Sequence, residues 1–90
     1  MKDVIFGKVY DTRNAYLVKE KWSIEDLSNG YTRYTAVKLY FRERSHDYFV
    51  HVRKVATDER SKVIDDAEHI RPVTDEYAKG FNRQTDLFLL

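Results

Sequence analysis

Three histidines (His46, His51, His69) and a run of carboxylates (Asp65, Asp66, Glu68) are the side chains here whose types belong to acid–base or metal chemistry. A zinc site needs close, regular ligand spacing, and a calcium loop needs alternating Asp/Asn positions closed by a Gly. Neither pattern is present. The histidines fall in a turn, on an outward strand position and in a separate loop, and the acids read as a solvated face. No Gly run cradles a phosphate, no nucleophile elbow occurs, and no Ser lies beside an evident base. The absence of Cys removes disulfides, thiolate ligands and thiol nucleophiles together. The expectation is a chain that is not an enzyme and takes no metal or cofactor.

What remains is recognition chemistry. Lys38, Tyr40 and Arg42 alternate with Val37, Leu39 and Phe41, and His51 and Arg53 alternate with Val50 and Val52. Two such strands joined by the polar turn Arg44-Ser45-His46-Asp47 form a hairpin with one apolar and one basic face. A turn centred on Ser45 and His46 pairs Phe41 with Val50 and Leu39 with Val52 on one side. On the other it pairs Tyr40 with His51 and Lys38 with Arg53. Like charges facing each other across strands are unfavourable. Either carboxylates from the acidic segment neutralise this face, or it is kept basic for an anionic partner. The two candidate surfaces are therefore Lys38, Tyr40, Arg42, His51 and Arg53, and against them Asp58, Glu59, Asp65, Asp66 and Glu68. Lys and Arg interleaved with aromatic rings also mark grooves for single-stranded nucleic acid. Seven Tyr residues, including Tyr31, Tyr34, Tyr48 and Tyr77, suit either a protein interface or the covering of sheet edges.

The elements that carry these residues follow from periodicity. Val4 to Tyr10 reads as a first strand ending in the polar turn Asp11-Thr12-Arg13-Asn14, and Tyr16 to Trp22 as a second strand hairpin-paired with it. Ser23 to Asp26 carries a helical-turn signal but reads equally as a loop, and Asn29-Gly30 tolerates positive φ. Ala56 to Glu68 loses its periodicity and reads as a charged excursion with a helical turn around Arg60 to Ile64. His69-Ile70-Arg71 must be extended before Pro72. Thr74 caps a helix with Asp75 and Glu76 in its first turn, and Tyr77, Phe81 and Phe88 form its apolar stripe. The expected fold is α+β: one domain over residues 1–90, a mostly antiparallel sheet of four or five strands, and a C-terminal helix packed on one face.

Length and charge agree with that scale. Ninety residues hold one modest core. The net charge of +1 disfavours both a nucleic-acid coat and an acidic DNA mimic. It conceals an asymmetry: residues 1–55 carry 11 Lys/Arg against 7 Asp/Glu, while residues 56–90 carry 5 against 8. The N-terminal apolar run is too short for a signal peptide or a membrane span, so a cytoplasmic location is expected, with no membrane partner.

The motif order Gly7-Lys8-Val9-Tyr10-Asp11-Thr12, Lys38-Leu39-Tyr40, Tyr48-Phe49-Val50-His51 and Ile70-Arg71-Pro72-Val73-Thr74 resembles a group of short uncharacterised bacterial, phage and mobile-element proteins. The chain departs from that group at Val52-Arg53-Lys54-Val55, where the group is Gly-rich. The resemblance implies an accessory protein that acts by stoichiometric binding, for example an inhibitor of a bacterial defence nuclease of the anti-CRISPR kind. The functional expectation is a non-enzymatic module whose partner is a protein, a nuclease or nucleoprotein complex. A nucleic-acid-binding regulator using the basic hairpin is the alternative, and edge-to-edge pairing of two copies is a third.

Overall fold

A computed structural model describes residues 1–81. The order is β1 (Lys2–Ile5), β2 (Lys8–Asp11), β3 (Tyr16–Asp26), β4 (Thr32–Arg42), β5 (Asp47–Thr57), β6 (Val63–Val73) and α1 (Asp75–Lys79), with single 3₁₀ turns after β2 and β3. β1 and β2 form a two-stranded sheet of their own, and β3-β4-β5-β6 form an antiparallel meander. The described residues thus form six strands in two sheets with one five-residue helix, mostly antiparallel β rather than the expected α+β.

Three segments account for the difference. Val4 to Tyr10 is not one strand, because Phe6 (φ 50°) and Gly7 (φ 76°) both turn left-handed and fold the run back on itself. Both central residues of such a two-residue hairpin need positive φ, so Gly7 is well placed and Phe6 is strained. The second error is the acidic stretch, where residues 63–73 form an eleven-residue strand instead of an excursion with a helical turn. Among the described residues β6 has one neighbouring strand, so most of its side chains stand in solvent and no apolar alternation is needed. Pro72 is tolerated there because an edge has ladder positions that need no N–H donor. β3 likewise runs on through Ser23 to Asp26, where a helical turn or a loop was expected, and it pairs with β4 rather than with the first segment. Asn29 and Gly30 do take positive φ in the turn that follows.

The central hairpin has the expected faces but a different register. Arg42 pairs with Asp47, Phe41 with Tyr48, Leu39 with Val50 and Lys38 with His51, so the turn is centred on Arg44 and Ser45. A shift of two residues keeps each side chain on its face and changes only its partner. The bidentate Arg42–Asp47 ion pair, 2.7 Å at both contacts, closes the strands at this point.

Apolar residues are buried on both faces of the meander. On the helix face, Val37, Leu39, Val50 and Val52 are sealed by Phe81, with Tyr77, Ala78, Val73 and Tyr48 around them. Thr74 caps α1 as expected, its hydroxyl accepting from Tyr77 N at 3.1 Å. Tyr77 and Phe81 lie edge-on with centroids 6.1 Å apart, and Phe88 lies outside the described residues. On the opposite, hairpin face, Tyr10 meets Phe49 and Ile70, with Ile5, Ala15 and Tyr40 beside them. β1 and β2 therefore form a roof over one end of that face.

Candidate partner-binding face

The strand pairings place the outward residues of the hairpin face in ladders. One row runs Trp22, Ala36, Arg53, Glu68, and the next Ile24, Tyr34, Val55, Asp66. Ala36 is the smallest side chain in these rows, and it leaves a dip between Trp22 and Arg53. The result is an open groove of about 290 Å³ bordered by Trp22, Ile24, Tyr34, Val55, Lys38 and Arg53. Its apolar walls are bare: Trp22 is 73% exposed and Ile24 69%. Large exposed apolar side chains grouped on one surface mark a contact surface more often than a monomer's ordinary exterior.

Arg53 and His51 at the groove are paired with carboxylates. Arg53 donates to Asp66 through Nε (3.1 Å) and Nη2 (2.8 Å), and His51 Nε2 lies 2.8 Å from Glu68 Oε2. The hydrogen bonds from Arg53 hold the Asp66 carboxyl below its usual range. Lys38 stands opposite Glu20 on one side and His51 on the other. Thus the expected juxtaposition of Lys38 with Arg53 does not occur, and the acidic segment neutralises the basic one across β5 and β6.

Two residues of the basic set are engaged elsewhere. Tyr40 stacks on Phe49 with centroids 5.2 Å apart and rings 10° from parallel, beside the roofed cluster. Burial, helped by the charge of Glu20, raises its phenol pKa. Arg42, besides its bond to Asp47, donates to the Val9 carbonyl at 2.6 Å and lies 4.3 Å over the Tyr10 ring. It latches β2 to the meander, and Lys38, His51 and Arg53 are the members that reach the groove.

The acidic set is divided in the same way. Asp58 shapes the β5–β6 turn by accepting from the backbone N–H groups of Arg60 and Lys62, both at 2.9 Å. Glu59 lies against Gly30, where a Cβ would approach its own Cβ to 3.2 Å. Asp65 pairs with Ala56 and so shares the helix-face side of β6, while Asp66 and Glu68 stand on the hairpin face. These five carboxylates do not form one surface.

The histidines stay apart as well. His46 sits in the turn at φ 51°, His51 is at the groove, and His69 is opposite Val52 on the helix face. Burial pushes the His69 imidazole pKa down, assisted by Lys54, Arg71 and His51. Among the described residues no group of three or more His, Cys, Asp or Glu is arranged to hold a metal ion. No helix among them is long and apolar enough to cross a membrane.

A larger cleft of about 660 Å³ lies beside the roof. Its charged walls are occupied by Arg42–Asp47, Arg13–Asp11 and the hydrogen bond from Tyr16 to Glu43. The groove at Trp22 combines apolar area with polar rim groups in the way a recognition site requires. Sequence reading missed Trp22, Ile24 and Val55, and named Tyr34 only as one of several tyrosines suited to an interface or a sheet edge. The signal was the alternation Trp22-Ser23-Ile24, overridden by the capping motif at Ser23. No family model, no curated protein and no solved structure matches this chain.

Proposed function

We propose that this protein is a non-enzymatic binding module whose open groove takes an apolar anchor from a protein partner. The observation that carries the reading is the cluster of Trp22, Ile24 and Tyr34, left bare while the other end of the same sheet face is roofed. Trp and Tyr in a pocket, rimmed by hydrogen-bonded charges, are the composition of binding hot spots. The pairing of Arg53 with Asp66 and of His51 with Glu68 supports a protein partner over a nucleic acid, since a phosphate backbone would have to displace those carboxylates.

The test is affinity capture from a bacterial lysate with the wild-type chain and with Trp22→Ala as bait. A protein retained by the first and lost by the second supports the reading, and equal retention overturns it. A gel shift with bare DNA or RNA, weakening steeply with salt, would favour the nucleic-acid regulator instead. The narrower role of inhibitor of a bacterial defence nuclease is drawn from the motif resemblance. It is tested by adding the protein stoichiometrically to such a nuclease, with Trp22→Ala expected to abolish inhibition.

A further inference from the structure

Among the described residues the meander has two edges with no further strand beside them, and they are built differently. β6 contains Pro72, an irregularity opposite Ala56 and Thr57, and the carboxylates Asp65, Asp66 and Glu68 close together. Those are the devices that keep an edge from pairing with another strand, and two copies of β6 laid side by side would set acid against acid. β3 runs eleven residues without Gly or Pro, and after the irregularity at Val18 its register with β4 is unbroken from Lys19 to Asp26. Its charges are of both signs.

We infer that the β3 edge is a self-pairing surface, joining two copies of the chain into one continuous eight-stranded sheet. Antiparallel pairing of identical strands about a two-fold axis normal to the sheet places some residue opposite its own copy. With Trp22 at the axis, Lys21 faces Ser23 of the second copy, Glu20 faces Ile24, and Lys19 faces Glu25, each contact occurring twice. Opposite charges meet and no like charges do. Moving the axis to Lys21 sets lysine against lysine, and moving it to Ser23 sets Glu20 against Asp26. The favoured register also brings the two exposed Trp22 rings side by side on the hairpin face, where cross-strand aromatic pairs are stabilising. It joins the two grooves into one surface. The pairing holds whether or not the groove takes a partner, so the two readings fail separately.

Light scattering on a size-exclusion column is expected to give twice the 10.8 kDa chain mass. Lys19→Glu and Glu25→Lys should each weaken the dimer about tenfold or more, since two symmetric contacts turn repulsive. The double variant K19E/E25K exchanges the charges and should restore it. Because the chain has no Cys, W22C gives a clean second readout. Mild oxidation should link it to its own copy, whereas V18C and D26C, whose copies lie roughly 26 Å apart at 3.3 Å per residue, should stay unlinked. A wild-type monomer at every concentration, a dimer indifferent to both charge reversals, or linking through V18C in place of W22C overturns the inference.

Discussion

The two ends of the hairpin face are made from the same strands and differ in what lies on them. At one end Tyr40, Phe49 and Ile70 are covered by Tyr10 and Ile5 of the N-terminal hairpin, with Phe49 fully buried. At the other end Trp22, Ile24 and Tyr34 meet solvent. Burying apolar area contributes about 25 cal/mol per Å², so the roofed end supports folding and the bare end forgoes that gain. The polar groups divide likewise. Arg42 serves the fold by tying Val9, Tyr10 and Asp47 together, whereas Arg53 and His51 hold only carboxylates at the groove rim. One end is therefore expected to govern stability and the other recognition.

The sharpest way to separate them is Phe49→Ala, which empties the roofed cluster and should cost roughly 3–5 kcal/mol, read as a lowered midpoint in urea unfolding. Arg42→Met should cost about 2 kcal/mol through lost hydrogen bonds to charged groups. It should also change the acid limb. The hydrogen bonds from Arg42 hold the Asp47 carboxyl below its usual range, partly opposed by burial. A depressed folded-state pKa contributes stability that is complete above the unfolded carboxylate's value near ~3.9 and is lost as pH falls through the lower folded value. The variant should show a shallower loss of stability across that window in pH-dependent unfolding. Phe6→Asn acts in the opposite direction. Phe6 is fully exposed at φ 50°, so relief of left-handed strain should raise stability by about 1 kcal/mol. The smallest effect on the stability of the single chain, measured at concentrations too low for pairing, is expected for Trp22→Ala, within about 0.5 kcal/mol, with partner capture lost all the same. A large stability loss there would erase the distinction between the two ends.

Legibility in the sequence varied by element. The β4–β5 strands stood out because Val37 and Leu39 of one and Val50 and Val52 of the other are buried at alternate positions, and burial is what writes period two into a sequence. Thr74 and the extended run before Pro72 were legible because capping and the pre-proline clash are local. β6 was illegible because a solvated edge strand has no core to pattern it. The pairing of β3 with β4 rather than with the first segment was equally hidden, since which strands meet is a matter of long-range contact. Of the basic candidate set, Lys38, His51 and Arg53 reach the groove, while Tyr40 and Arg42 are used under and beside the roof.

By itself the amino-acid order determined the alternation that puts Val37, Leu39, Val50 and Val52 on one side and Lys38, His51 and Arg53 on the other. A strand's side chains must alternate, whatever it pairs with. Tertiary structure decided the register, the partner of each charge and the end of the face that the N-terminal hairpin covers. Those depend on distant segments meeting: Val9 on Arg42, Glu68 on His51, Asp66 on Arg53. The charge asymmetry between the halves of the chain was visible in composition, and its meaning was not. Across β5 and β6 the basic and acidic segments neutralise each other, and that left the uncharged residues Trp22, Ile24 and Tyr34 as the part of this face without an internal use.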